Sequence, residues 1–354
     1  MDRVRGGSLA TIYDVARVAG VSAKTVGRVL NGDAPVGPAM RANVERAMDE
    51  LGYVPSSAAR MLRSNRSRLI GVVSGAIADS CQELEAAGLP ETHILRGIQD
   101  VADDTGHTML VSDTGGDPGR AGALIRTFTE HRVDGIVVVA SYHRKVELDA
   151  GRRTPVVIAN GYDDRGTPSV VPGDYTGQRD LVRRIVASGH RRIAYFQLPP
   201  GLDATRHRTR VYRDALTEAA LPFDPEIVRP ADVTRGEGSV RNAALARAVA
   251  ALLDLPDPPT AICCGTDRMA IAVYGLLRMR GLSIPGDISV AGYDDHRLIS
   301  EMLFPQLTTV ELPCRAIGRR AAELLLAAGE PGTGAPIEIG GAVRWRESVA
   351  PPRT

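Results

Sequence analysis

Aromatic side chains are scarce in this chain, with four Phe, nine Tyr and one Trp among 354 residues. A ligand site built on stacked rings has few residues to draw on. Cysteine is as sparse. Cys81, Cys263, Cys264 and Cys314 show no metal-ligand spacing, and the adjacent pair Cys263-Cys264 sits in an apolar run as small core filler. No zinc site, other metal or cofactor is expected, and the thiols read as reduced. No apolar stretch approaches membrane-spanning length, and the arginines near the N-terminus precede no signal-peptide segment, so the expected location is the cytoplasm. The hydrolase pattern G-x-S-x-G and the zinc-peptidase pattern H-E-x-x-H do not occur. Gly236-Glu237-Gly238 lacks the third glycine of a dinucleotide loop. An enzyme is not expected.

Net charge is also small, at +1, but its distribution is uneven. Residues 1–70 hold eleven Arg and Lys against six Asp and Glu, while the remainder holds 32 against 36. A basic head on an acidic body suits a protein that meets phosphates at one end only.

That head reads as helices. Thr11-Ile12-Tyr13-Asp14 is a capping box in its aspartate form, and Ile12, Val15, Ala16 and Ala19 recur at helical spacing. Gly20 supplies the left-handed residue that ends the helix. Ser22 caps a second helix from Ala23 to Leu30, which buries Val26, Val29 and Leu30 and exposes Lys24, Thr25 and Arg28. Two short helices joined by Ala-Gly-Val-Ser make a helix-turn-helix. The second helix of such a unit enters the major groove, where Arg28 can pair with a guanine edge. A third helix starts at Pro38, carries Val44, Ala47, Met48 and Leu51 on its apolar face, and stops at Gly52. The segment 53–64 that follows is too short to be a stable helix in water, and read alone it is a polar linker. Ordered on DNA beside a twofold mate, it would instead place Leu62 as a minor-groove wedge.

From Arg68 onward short apolar runs alternate with amphipathic stretches. Strands are expected at 69–73, 108–111, 135–140, 156–159, 193–196, 261–264 and 289–292, and helices at 94–104, 120–131, 177–188 and 269–280. The fold class that follows is α/β, with parallel sheets covered on both faces and arranged as two lobes. Ligands in such folds sit beyond the carboxyl ends of the strands. Asn160 and Tyr142 are candidates on that topology alone, against the plainer reading of turn formers.

The motifs Thr11–Ala16, Ala19-Gly20-Val21-Ser22, Thr25–Asn31 and Glu50-Leu51-Gly52-Tyr53-Val54-Pro55 resemble the head of the lactose-repressor (LacI/GalR) family. The likeness continues in Ser188–Ala194, Ile284–Asp295 and Pro305–Val310. It implies a helix-turn-helix head with a hinge helix, then a periplasmic-binding-protein-like sensor. In that reading residues 1–10 are a disordered tail, 11–56 the DNA-binding domain, 57–67 the hinge and 68–350 the effector and dimerisation domain. Its first lobe spans about 68–168 and 305–330, and its second about 169–304 and 331–350.

The resemblance implies that Ala23, Lys24 and Arg28 read bases, and that Thr11, Tyr13, Ser22, Thr25, Asn31 and Tyr53 contact the DNA backbone. Leu62, with Ala59, becomes the hinge wedge. Arg208 takes the place of a ligand-binding arginine, although Val211 replaces the glycine that usually follows. Asp294 is its partner in gripping vicinal hydroxyls or the polar edge of a base, and Thr266 stands where relatives often have Asn. Gly27 and Gly37 replace family serines and Ser56 a family Asn, so operator preference does not carry over. The expected function is a repressor that binds a pseudo-palindromic double-stranded DNA operator as a homodimer under a small-molecule effector. The effector is expected to be a sugar, with a nucleoside or purine as the alternative. A solute receptor without DNA function would share the lobes but have no use for the head.

Overall fold

Local signals set the head. In the computed structural model, helix α1 (Ile12–Ala19) opens with the Asp14 amide 3.4 Å from the Thr11 hydroxyl oxygen, while the Asp14 carboxylate accepts from the Thr11 amide at 3.0 Å. Gly20, at φ 66°, ends it by donating to the Ala16 carbonyl. Ser22 Oγ accepts from the Thr25 amide at 3.1 Å and so caps α2 (Ala23–Asn31). Helix α3 (Pro38–Leu51) starts on proline and closes at Gly52. Val15, Ala16, Val26, Val29, Val44 and Ala47 form one buried cluster between the three helices.

The structure describes residues 10–31, 36–54, 67–75, 88–148, 154–231, 238–327 and 334–353. It divides into two units, Met1–Ser67 and Arg68–Thr354. The expected tail 1–10 falls almost wholly outside the described residues, as does most of the expected hinge, including Ala59 and Leu62.

In the second unit, β1 (Leu69–Ser74), β2 (Thr108–Asp113), β3 (Gly135–Lys145), β4 (Val156–Tyr162), β5 (Ser169–Pro172) and β11 (Ile337–Ile339) form one parallel sheet, ordered β11-β5-β4-β3-β1-β2. Alternate side chains of its strands enter opposite cores, as a doubly covered sheet requires. Val137 and Val139 pack with Ile94 and Ile98 of α4 (Gly88–Thr105) and Ile317 and Ala321 of α11 (Cys314–Leu326). Ile136 and Val138 pack with Ile125 and Phe128 of α5 (Ala121–Glu130). Helices α4 and α11 touch through Gly97 and Gly318, where a Cβ would lie 2.0 Å from the carbonyl oxygens of Arg315 and Ile94 respectively.

The second sheet runs β7-β6-β8-β9 from β6 (Ile193–Gln197), β7 (Val228–Pro230), β8 (Ala261–Cys264) and β9 (Ser289–Ala291), again parallel. Helices α6 (Asp174–Ala187) and α7 (Asp203–Glu218) cover one face, and α8 (Gly238–Leu253) and α9 (Asp267–Met279) the other. Cys263 and Cys264 enter these opposite cores as small fillers. Helix α7 runs unbroken through Val211, which is buried.

The expected lobe boundaries shift. Strands β5 and β11 pair in the first sheet, through Ala159 with Val170 and Ile337 with Val170, although both ranges were assigned to the second lobe. Leu307 and Val310 pack in the second-lobe cores, so the return to the first lobe comes after 310 and not at 305. The physical reason is the crossover. The chain passes between lobes near 173, 311–313 and 340–342, and these passes hydrogen bond to each other: Gly173 N–H to Ile339 at 2.7 Å and Glu311 N–H to Ala342 at 2.9 Å. At Gly341 a Cβ would lie 1.7 Å from the Glu311 carbonyl oxygen, so only glycine fits. Short β10 (Thr309–Val310) and β12 (Val343–Arg344) pair antiparallel beside this crossing.

Candidate nucleic-acid interface and ligand cavity

Because α2 turns Val26 and Val29 inward, Lys24 and Arg28, four residues apart, share its exposed face. Ala23 and Thr25 are half-buried beside them, and Gly27 is buried. Ser22 and Thr25 share a hydroxyl–hydroxyl hydrogen bond of 2.9 Å at the start of the helix. Thr11 is exposed, Tyr13 is 74% exposed, and Tyr53 packs half-buried against the head core. Asn31 closes α2, and its side chain lies outside the described residues.

In the two-lobed unit, Tyr142, Asn160, Arg208, Thr266 and Asp294 all line one cavity. They come from chain-distant places: a register shift of β3 between Val139 and Arg144, the end of β4, helix α7, and the turns after β8 and β9. These are the carboxyl ends of the strands, where an α/β sheet offers loops and not packed side chains. Arg208 is buried on α7. Its Nε donates to Asp174 Oδ1 at 2.8 Å and its Nη1 to the Gly265 carbonyl at 3.1 Å, and its guanidinium lies 3.5 Å from the centre of the Tyr293 ring. Burial opposes the charge on Arg208, but the Asp174 carboxylate more than offsets it and the guanidinium stays ionised. Burial likewise pushes the Asp174 carboxyl up, while Arg208 and a 2.8 Å hydrogen bond with His143 Nδ1 hold it below the usual carboxylate range.

Asp294 sits differently. It occupies an uncommon backbone conformation (φ 122°), and its half-buried carboxyl faces the cavity. Desolvation raises its pKa to about 7, with the Arg208 charge opposing the rise. The neighbouring carboxyl of Asp267 is also raised, by burial and by Asp294. Asp267 accepts from the Thr309 hydroxyl at 2.6 Å and the His296 amide at 2.7 Å, which fixes the turn carrying Asp294.

Two expected ligand residues are engaged locally. The Thr266 hydroxyl caps α9 by accepting from the Met269 amide at 3.2 Å. Asn160, at φ 64°, donates its side-chain amide to the Ala140 carbonyl at 2.9 Å. His93, His143, His296 and Arg268 also line the cavity and were not singled out from the sequence. His296 had a usable signal, since it follows Asp294 by two residues. The pairing of His143 with Asp174 had none, because 31 residues separate them. Among the described residues no group of His, Cys, Asp and Glu could hold a metal ion, and no helix is long and apolar enough to cross a membrane.

Residues 11–56 match the lacI family of bacterial regulatory proteins, and residues 182–349 match a periplasmic binding protein-like domain. The transcriptional repressor PurR of Vibrio atlanticus is 32% identical over 322 residues, which covers 90% of this chain and 91% of the relative. The chain belongs to the LacI family. Catabolite control protein A of Priestia megaterium, 32% identical over 89% of this chain and 91% of that protein, is a further relative. So is the repressor CytR of Escherichia coli, 32% identical over 90% of this chain and 89% of that protein. Among solved structures, the lac repressor dimer bound to operator and the anti-inducer ONPF is 27% identical, with a TM-score of 0.76, and covers 97% of this chain and 100% of that one. The CelR–cellobiose complex is 28% identical, with a TM-score of 0.63, and covers 96% of this chain and 99% of that one. As a LacI-family member the chain is a DNA-binding transcriptional repressor with a helix-turn-helix region and a sensor of parallel α/β sheets.

Proposed function

We propose that this LacI-family repressor reads a pseudo-palindromic operator as a homodimer and answers to a hydroxyl-rich, sugar-type effector held between the lobes of its sensor. Lys24 and Arg28, with Ala23, face the bases. Thr11, Tyr13, Ser22, Thr25, Asn31 and Tyr53 hold the phosphate backbone. Leu62 and Ala59, outside the described residues, are assigned to the minor groove by family likeness alone. Arg208, Asp294 and Tyr142 contact the effector, while Thr266 and Asn160 shape the cavity by holding its turns. The protein acts on the DNA in the cytoplasm, as a regulator and not as an enzyme.

The observation that carries the effector reading is a guanidinium, Arg208, fixed by Asp174 and Gly265, and the Asp294 carboxyl, both lining the same cavity. Vicinal hydroxyls can donate to Asp294 while they accept from a cationic donor. Among the described residues the rings lining the cavity are the Tyr142 phenol and the imidazoles of His93, His143 and His296. The similar CelR structure holds cellobiose.

A thermal-shift screen of the full chain against sugars, sugar acids, nucleosides and purines tests this. A ligand at one hundred times its dissociation constant adds about 2.7 kcal/mol if it binds only the folded state. A sugar hit that also changes operator binding supports the proposal. A hit confined to nucleosides or purines overturns the effector class and leaves the DNA-binding role in place.

A further inference from the structure

Besides the crossing strands, the two lobes also touch through side chains beside the cavity. Strand β3 loses its register between Val139 and Arg144, and the displaced residues carry His143 toward the second lobe. His143 is nine-tenths buried and hydrogen bonds through Nδ1 to Asp174, the first residue of α6, at 2.8 Å. Its ring stacks on His207 of α7 with centroids 5.6 Å apart. Strand pairing resumes at Arg144 and Lys145 against Gly161 and Tyr162. There the Lys145 amide and the Tyr162 hydroxyl both donate to one oxygen of Asp203, the first residue of α7, at 3.2 and 2.9 Å. Every donor is on β3 or β4 and every acceptor on α6 or α7, so each bond spans the two lobes.

We infer that His143, Lys145 and Tyr162 form a latch on Asp174 and Asp203 that holds the two lobes together on this side. The contacts are short, directional and charge-assisted on the acceptor side, a class of hydrogen bond stronger than neutral pairs. Asp174 directly follows the crossing at Gly173, but Asp203 opens a separate helix away from any crossing, so its two bonds add a restraint that the hinge alone does not supply. The latch also explains the irregularity in β3. Continuous pairing would keep residues 140–143 in the sheet and out of reach of Asp174. His143 is a positioning residue: it acts on Arg208 through Asp174, and the inference does not depend on which effector the cavity takes.

Distance measurement by pulsed electron paramagnetic resonance tests the latch on the full-length chain without effector. Spin labels at exposed Glu130 in the first lobe and Thr217 in the second are introduced as cysteines with Cys81→Ser, and labelled chain is diluted with unlabelled chain. Cys263, Cys264 and Cys314 are buried and out of reach of the label. The parent should give one narrow distance. His143→Ala and Asp203→Ala should each lengthen or broaden it by several ångströms. His143→Asn should restore the parent distribution, because its side-chain amide places a donor where Nδ1 stood, a rescue that loss of packing alone would not show. If His143→Ala does not fold, Asp203→Ala, at the half-buried start of α7, carries the test. A parent distribution already broad, or distances unmoved by both alanine variants, overturns the latch. Failure of the effector screen would leave this result untouched.

Discussion

Replacing Asp294 by Asn should stabilise the folded sensor, and by an amount that grows with pH. The carboxyl is raised from 3.8 to about 7 by desolvation. A shift of roughly three units, at about 1.4 kcal/mol per unit, sets an upper bound near 4 kcal/mol. Asp294 keeps a solvent-facing edge in the cavity and shares its field with Asp267. Solvent screening and that coupling reduce the expected effect to about 1–2 kcal/mol.

The direction follows from proton counting. Between roughly pH 4 and 7 the native state holds a proton on Asp294 that the unfolded chain has released, so unfolding free energy falls as pH rises through this window. Above about pH 7 the penalty is fully present, and below about pH 4 it vanishes. The Asn variant carries no such penalty. Carboxylates remote from this pair titrate alike in both proteins and cancel in the difference, while Asp267, relieved of the Asp294 charge, is raised less in the variant and adds to its gain at high pH. Thermal melting of the sensor transition, followed by circular dichroism from pH 4.5 to 8, should show the variant about 3–6 °C higher at pH 8 and nearly level with the parent at pH 4.5. A pH-independent difference, or a variant less stable at pH 8, would refute the argument that Asp294 is held ionised against its surroundings.

Two further outcomes are expected. Arg28→Ala should lower affinity for the operator by about 1–3 kcal/mol with little change on unrelated DNA, measured across a salt series; equal losses on both would make Arg28 a phosphate contact. Gly318→Ala should destabilise the sensor by about 1–3 kcal/mol in urea, because the added methyl would lie 2.0 Å from the Ile94 carbonyl oxygen; an unchanged midpoint would mean that α4 and α11 separate without penalty.

Much of the fold was legible because its causes are local. The Thr11–Asp14 box, the Ser22 cap, Gly20 and Gly52 act within a few residues, and the structure places each helix end where they put it. The apolar runs of β1, β3, β4, β6 and β8 are strands buried on both faces, which sequence shows as continuous hydrophobicity. Strands β5, β7, β11 and β12 are two to four residues long and become strands only because a neighbour is present to pair with. No window of sequence contains that neighbour, and the lobe boundaries were misplaced for the same reason. At the cavity, Arg208 and Asp294 were found through family landmarks. The chemistry that distinguishes them was hidden, because it depends on Asp174, Asp267 and His143, all distant in the chain.

That hidden chemistry bears on what the cavity asks of a ligand. Arg208 is held by two acceptors and a ring before any ligand arrives, so binding need not spend entropy fixing it. Its charge is largely answered by Asp174, so it offers directional donors more than a net positive field. Asp294 is the opposite case, a carboxyl on a turn of uncommon backbone conformation whose desolvation outweighs the nearby Arg208 and Arg268 charges. A molecule that donates hydrogen bonds to Asp294 favours its ionised form and recovers part of the penalty worked out above. An anionic ligand would add to that penalty. On the proposed assignment of Asp294 and Arg208 as effector contacts, the cavity would reward donors placed against Asp294 and acceptors placed toward Arg208, a pattern that adjacent hydroxyl groups meet and a lone carboxylate or phosphate does not.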